Sequence, residues 1–89
     1  MPSQWPTVEK LAEQMHKNLN AHKGENPAGW ENVREGFLLN RLADELEEFR
    51  EVAITGSSPE RLWSEAADAA NFLMMLCDNY ERAYEEAQP

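Results

Sequence analysis

The sequence predicts an all-α fold, an antiparallel bundle of about three helices. Apolar residues recur at steps of three and four along most of the 89-residue chain, which is the spacing of one helix face. Two segments rich in glycine, proline or small polar residues, 21–29 and 55–59, interrupt this spacing and predict bends. No stretch alternates apolar and polar residues as a half-buried strand does. We therefore expect one helical domain over residues 1–89.

The first helix is expected from Thr7 to Asn20. Residues 1–6 contain two prolines and predict an irregular lead-in. Thr7 offers a side-chain oxygen as an N-cap, and Glu9 places a negative charge in the first turn. One apolar stripe follows, and it consists of Val8, Leu11, Ala12, Met15 and Leu19.

The second helix is expected to begin at Glu31 or Asn32 and to end at Ile54. Gly56 suits the left-handed position that follows many helices. The expected core line of this helix alternates steps of three and four, as a helix–helix seam requires. It consists of Leu39, Leu42, Leu46, Phe49 and Ala53.

The third helix is expected from Pro59 to about Glu86, with Ser58 as its N-cap. It carries two adjacent apolar lines: Leu62, Ala66, Ala69, Leu73, Leu76 and Tyr80, and then Trp63, Ala67, Ala70, Met74 and Cys77. A helix with two apolar lines is covered on two sides, here by the second helix and by either the first helix or another subunit. A chain this short buries a limited core, so we expect a homo-oligomer to complete the bundle.

Composition narrows the classes of partner. The net charge of −9 argues against a nucleic acid polymer as ligand, because phosphate contacts dominate such binding. A nucleotide is still compatible with this charge, because a metal ion can bridge carboxylates to phosphates. The single cysteine excludes an intrachain disulfide. No signal peptide or membrane-spanning stretch is recognisable, so we expect a cytoplasmic protein with no membrane partner.

Two pairs of acidic residues are the most informative pattern in the chain. Glu45 and Glu48 form one pair and Glu65 and Asp68 the other, each at i and i+3. Both pairs lie about ten residues from the bend near Gly56, so an antiparallel hairpin brings them level, and each pair shares one helix face. Each acid also precedes an expected core position by one residue, which places all four at the edge of the core.

A cluster of four carboxylates at one level of a helix pair is unfavourable unless something neutralises it. Oxygen ligands of this kind suit a hard divalent cation such as Mg²⁺. The alternative interpretation is a solvated acidic surface, for which Glu47, Glu51 and Glu60 are the expected examples. The matching offset and distance of the two pairs from the bend favour the ion site.

Several other residues leave two interpretations open. Asn71, three residues after Asp68, is either a site residue or a partly exposed amide. Arg41, like Arg34 further back, either neutralises a carboxylate or touches a phosphate. Lys23, with His22, either reaches a phosphate or lies in a solvated loop.

Aromatic and histidine side chains add little on their own. Trp30, like Trp5, either stacks on a base or packs in a core or interface. His16 is expected on the surface of the first helix. The sequence contains a single Glu-x-x-His pair, Glu13 with His16, whereas a di-iron bundle uses two, which argues against that class of protein.

The acidic pairs and their neighbours resemble a known family. The segments Leu42–Phe49 and Glu65–Leu73, separated by a turn, are similar to the signature of the all-α nucleoside triphosphate pyrophosphohydrolases, the MazG-like group. The loop from His22 to Gly24 that leads to Trp30 is similar to that of small phage and bacterial members. The resemblance covers roughly residues 15–80.

The resemblance implies a helical bundle that forms a homodimer or homotetramer and hydrolyses a nucleoside triphosphate between the α- and β-phosphates. It implies Mg²⁺, with Mn²⁺ as a substitute, held as one or two ions by Glu45, Glu48, Glu65 and Asp68, one of which can double as general base. It also implies that Asn71 contacts the nucleotide. The phosphates would be recognised by Lys23, Arg41 or a neighbouring subunit, and Trp30 remains the candidate for the base. The rival hypothesis is a non-catalytic helical interaction module with a solvated or partner-binding acidic face.

Overall fold

The computed structural model describes residues 4–24 and 29–88, which form three α-helices and, within those ranges, no strand. The helices are α1 (Pro6–His22), α2 (Glu35–Thr55) and α3 (Pro59–Ala87). Helix α3 is central, because α1 and α2 both pack against it and, in the described ranges, do not contact each other. The all-α prediction is confirmed. None of the three helices is long and apolar enough to cross a lipid bilayer.

Helix α1 begins one residue before the expected cap. Trp5 is the N-cap residue and has no side-chain cap, so the prediction that Thr7 caps the helix is wrong. Pro6 occupies the first helical turn, where its fixed φ suits a helix and its missing N–H costs nothing. The helix also runs two residues past Asn20, to His22, so the first bend is shorter than expected. Part of that bend, 25–28, lies outside the described residues.

Helix α2 begins later than expected, at Glu35. The segment before it is a turn, in which the Val33 N–H donates to the Trp30 carbonyl at 3.0 Å. Arg34 then has an extended backbone (φ −64°, ψ 141°) and starts the helix without a side-chain cap. The predicted start at Glu31 or Asn32 is therefore wrong, and the turn fixes Trp30 ahead of the helix.

The bend between α2 and α3 is as predicted. Gly56 has φ +76° and ψ 52°, and its N–H donates to the Val52 carbonyl at 3.1 Å. This left-handed conformation favours glycine. Ser58 Oγ accepts from the Arg61 N–H at 3.3 Å and caps α3, with Pro59 in the first turn. The short connection folds α3 back along α2.

The buried line of α2 differs from the expected one. Leu38, Glu45 and Val52 are buried, whereas Leu39 and Leu46 are 48% and 51% exposed. The predicted α2 line is therefore only partly right: Leu42 and Phe49 are half-buried, whereas the buried positions lie on the neighbouring line through Leu38. The buried line of α2 therefore includes an acidic side chain, Glu45, among its apolar residues.

The α3 seam is only partly confirmed. Ala69 of the first expected line and Ala67 of the second are buried, whereas Leu73 and Tyr80 of the first line are 50% and 74% exposed. Leu39 and Tyr80 line the same open groove beside α2 and α3. Exposed apolar side chains of this size therefore continue the expected seam outside the monomer's core.

Candidate functional site

Three of the four predicted acids converge. Carboxylate oxygens of Glu45, Glu65 and Asp68 all lie within 4.8 Å of one another. Glu45 comes from α2 and the other two from α3, so the hairpin register set by the bend brings them together. Glu45 is 6% exposed, and the two α3 acids are half-buried.

Glu48 lies at the solvent side of this cluster. Its side chain is exposed, and it is not one of the three convergent carboxylates. It is nevertheless close enough that its charge raises the pKa of Glu45, Glu65 and Asp68. The structure thus gives three carboxylates at the centre and a fourth at the rim.

Glu45 has the most perturbed acidity of the cluster. Burial, which is the largest cause, the Glu48 carboxyl and the charge of Asp68 together raise its pKa to about 7. Arg41 opposes the shift, because its Nη2 donates to Glu45 Oε1 at 2.8 Å. Arg41 also pairs with the exposed Asp44 at 3.2 Å. The carboxylate-neutralising interpretation of Arg41 is therefore observed.

Asp68 is held by a residue that sequence reasoning missed. Asn18 Nδ2, on α1, donates to Asp68 Oδ1 at 2.8 Å and to the Ser64 carbonyl at 3.0 Å. Gln14 Nε2 in turn donates to Asn18 Oδ1 at 2.9 Å, which orients the amide. Burial raises the pKa of Asp68, and the Asn18 hydrogen bond partly offsets the increase. No spacing motif links residues 50 apart, so only a tertiary structure could reveal this contact.

Glu65 completes the cluster from the first half of α3. Burial raises its pKa, followed by the charges of Glu48 and Asp68, while Arg61 lowers it. All three central acids therefore have raised pKa values, and in each case burial is the largest cause. Among the described residues, the positive charges and hydrogen-bond donors near the cluster therefore do not offset the effect of burial on these pKa values.

Two buried oxygens show this deficit at the atomic level. Glu45 Oε2 and Glu65 Oε2 are buried and have no hydrogen-bond partner among the described residues. Two carboxyl groups can share a hydrogen bond only when one of them is protonated, so in the ionised state these oxygens lack a donor. A buried ionised oxygen without a partner is costly. The arrangement fits a positively charged ligand that accepts oxygen donors.

An open cavity of about 830 Å³ lies next to the acids. Residues of α1, α2 and α3 line it, and so do Gly29, Trp30 and Val33 from the segment before α2. Glu45 and Asp68 line it, together with all four residues expected to bind a nucleotide, which are Lys23, Trp30, Arg41 and Asn71. Apolar side chains form much of the remaining wall: Leu19, Val33, Phe37, Leu38, Phe72 and Met75.

Asn71 is a fixed polar group in this wall. It is 4% exposed, and its Nδ2 donates to the Met15 carbonyl of α1 at 3.2 Å. Its Oδ1 is buried and has no hydrogen-bond partner. Of the two interpretations of Asn71, a partly exposed amide is therefore wrong.

The remaining candidates occupy the edge of the site or lie outside it. Lys23 follows the last residue of α1 and is exposed, and Arg34 is exposed at the start of α2. Trp5 is 65% exposed and does not line the cavity. His16 is exposed, as expected for a surface residue of α1. Phe72 was missed as a site residue, although Arg41 lies over its ring at 5.5 Å from the centroid.

Fold and site together define an all-α protein with a carboxylate cluster at the side of an open cavity. The chain is 37% identical over 72 residues to an uncharacterized protein of Archaeoglobus fulgidus, an alignment that covers 78% of this chain and 76% of the relative. It belongs to the same family as that archaeal protein. No protein-family model matches the chain. No solved structure matches it either.

Proposed function

We propose that this protein is a Mg²⁺-dependent nucleoside triphosphate pyrophosphohydrolase of the MazG-like kind. The reaction would cleave a nucleotide between its α- and β-phosphates and release the monophosphate and pyrophosphate. The protein would act as a homo-oligomer in the cytoplasm. One observation carries the proposal: three convergent carboxylates, two of them with buried and unpartnered oxygens, adjoin a cavity that holds every candidate nucleotide-binding residue.

The donor set fits Mg²⁺, with Mn²⁺ as a substitute. All the convergent groups are carboxylates, which are the ligands of hard divalent cations, and no described histidine or cysteine is among them. Glu45, Glu65 and Asp68 would hold the ion, and Glu48 would join from the rim. When bound, such an ion neutralises phosphate charge and lowers the pKa of a water ligand.

The chain's own side chains would bind and orient the substrate. Arg41 already carries a positive charge at the boundary between the acids and the cavity, with its guanidinium on Glu45. Lys23, exposed at the cavity's edge, adds a second cation for the outer phosphates. Asn71 presents a buried acceptor to the nucleoside, and the aromatic part of the wall suits a base.

The decisive experiment is a nucleotide panel assayed separately for pyrophosphate and orthophosphate with Mg²⁺, with Mn²⁺ and with a chelator. We expect pyrophosphate and a nucleoside monophosphate from at least one triphosphate, and only when an ion is present.

Thermal unfolding with and without the ion is the second arm of the test. An ion that binds only the folded state stabilises it by mass action, by about 2.7 kcal/mol at a hundred times its dissociation constant.

The two arms separate the possible failures. Orthophosphate as the released product would contradict cleavage between the α- and β-phosphates. A melting temperature that does not respond to millimolar Mg²⁺ or Mn²⁺, together with an inactive panel, would favour the non-catalytic interaction module. Stabilisation by Ca²⁺ alone would contradict the assignment of the ion.

Homo-oligomerisation is the part of the proposal that rests on the exposed apolar face. Leu46 and Leu73 are each about half exposed, on the α2 and α3 lines that the sequence suggests as helix–helix seams. Further along those lines, Leu39 and Tyr80 line one groove. Apolar side chains that follow a seam pattern yet remain exposed in the monomer are well suited to pack against a second copy.

A charge in this face is expected to dissociate the oligomer. Leu46→Glu should shift the sedimentation coefficient of the parent toward that of a monomer, because a carboxylate in a packed apolar interface is strongly unfavourable. Val8→Glu is the matched control, since Val8 is 62% exposed on α1, away from the α2–α3 groove. A parent that sediments as a monomer at the highest attainable concentration would contradict the proposal.

A further inference from the structure

Trp30 is attached to α3 by two hydrogen bonds from different parts of the residue. Its indole Nε1–H donates to Asp78 Oδ2 at 2.8 Å. Its backbone carbonyl accepts from Asn79 Nδ2 at 3.0 Å. The two partners are consecutive on α3, whereas Trp30 lies 48 and 49 residues earlier in the sequence. We call these two contacts the Trp30 clamp.

The indole contact is made to an ionised carboxylate. The Trp30 hydrogen bond lowers the pKa of Asp78, and the Arg82 guanidinium, which also pairs with that carboxylate, acts in the same direction. Hydrogen bonds to charged acceptors are stronger than those between neutral groups. The carbonyl contact then fixes the backbone of the same residue. Together they leave Trp30 little freedom to rotate or to move with its loop.

The position of the clamp links it to the cavity. Trp30 lines the cavity, whereas Asp78 and Asn79 do not. The same carbonyl of Trp30 also accepts from the Val33 N–H at 3.0 Å, so the clamp holds the start of a turn whose other end lines the cavity as well.

We propose that Asp78 and Asn79 are positioning residues that fix the Trp30 indole as a preformed wall of the nucleotide cavity. The inference rests on the proposed function and adds to it two residues that do not touch the substrate. A wall that is ordered before binding lowers the entropy cost of ordering it on binding. Loss of the clamp should therefore weaken nucleotide binding more than it slows chemistry at the acids.

The test compares KM with kcat in a small set of variants. In Asp78→Ala combined with Asn79→Ala, we expect KM for the preferred nucleotide to rise on the order of tenfold, with kcat within about twofold of the parent. The stabilisation by Mg²⁺ should not change, because neither residue is near the acids. Asp78→Asn keeps an oxygen acceptor and should restore much of the affinity.

Arg82→Gln is the matched control for charge. Arg82 pairs with Asp78 rather than with Trp30, and its loss removes a charge from the same place on α3. It should leave KM within about twofold of the parent, since both contacts of the clamp remain. A variant set in which Arg82→Gln raises KM as much as Asp78→Ala would overturn the proposal in favour of a general electrostatic effect.

The clamp can also be tested by solvent exchange of the indole N–H, a measurement that does not depend on enzymatic activity. The Trp30 indole N–H, assigned by its disappearance in Trp30→Phe, should exchange with solvent faster in Asp78→Ala than in the parent. Faster exchange with an unchanged KM would overturn the positioning role. If the parent hydrolyses no triphosphate, the proposed function fails, and indole exchange alone decides whether the clamp exists: parent-like exchange in Asp78→Ala would overturn it.

Discussion

Replacing Asp68 with asparagine is expected to reduce pyrophosphate release about a thousandfold, the largest effect of any single substitution in this chain. The change keeps the size of the side chain and an oxygen that can accept from Asn18, whose Nδ2 lies 2.8 Å from Asp68 Oδ1. It removes one negative charge from the three convergent carboxylates. Single-turnover pyrophosphate release at saturating Mg²⁺ measures the effect, and Glu65→Gln should act in the same direction.

Glu47→Gln provides the matched control for this substitution. Glu47 lies on α2 between the two acids of the first pair, its side chain is 63% exposed, and its ion pair with Arg50 is long, at 3.8 Å. Activity within about twofold of the parent is expected, because exposed ion pairs contribute little. Equal activity of Asp68→Asn and Glu47→Gln would rule out the acidic cluster as the reaction site.

Stability in the absence of an ion provides an independent check on the same variants. The charge of Asp68 raises the pKa of Glu45 and of Glu65, so this negative charge is unfavourable to its neighbours in the folded chain. Asp68→Asn should therefore unfold at the same temperature as the ion-free parent or at a higher one. Its stabilisation by Mg²⁺ should be lost. A residue that served only the fold would show the opposite behaviour, with lower stability and an unchanged response to the ion.

The sequence was sufficient to predict the hairpin and its register, because both depend on local signals. Gly56 stops α2 with a left-handed backbone, and Ser58 caps α3 two residues later. These signals fix the length of the bend, and the number of residues on each side then determines which acids meet. The convergence of Glu45 with Glu65 and Asp68 follows from this arithmetic.

The buried face of α2 was not predictable from spacing alone. Leu38 and Leu39 start two apolar lines that differ by about 100° around the helix, and both have helical periodicity. The buried positions lie on the line through Leu38 and include Glu45, whereas Leu39 and Leu46 of the expected line are about half exposed. An acidic residue makes a helix face look less suited to burial, so the face with Glu45 is the less obvious choice from the sequence. Here that acid is at the centre of the site.

The contacts that α1 and the turn at Trp30 make with α3 could not be predicted from the sequence either. Asn18 meets Asp68, and Trp30 meets Asp78, across 50 and 48 residues, without a motif that relates the partners. Such contacts depend on how α1 and the turn after it lie across α3. The sequence could therefore predict the acids at the centre of the site, but not the side chains that orient them and form the cavity wall.

In the absence of divalent ions, the free energy of unfolding is expected to fall as the pH rises from about 4.5 to 7. Burial, the Glu48 carboxyl and Asp68 raise the pKa of Glu45 from 4.5 to about 7, so the folded protein favours the protonated acid more than the unfolded chain does. This contribution is fully present below pH 4.5 and is lost as the pH rises through 7. Linkage gives it a size on the order of 3 kcal/mol.

Glu45→Gln identifies the source of this pH dependence, because glutamine cannot titrate. Urea unfolding at steps of pH should give a smaller decline for the variant than for the parent, and the difference between the two curves should lie between pH 4.5 and 7. Added Mg²⁺ should reduce the parent's decline, since an ion held by carboxylates stabilises their ionised form and compensates for the charge that burial disfavours. If the free energy of unfolding depends on pH in the same way in parent and variant, the buried position of Glu45 does not control the acidity of the cluster. The expected coupling between proton loss and ion binding would then be wrong.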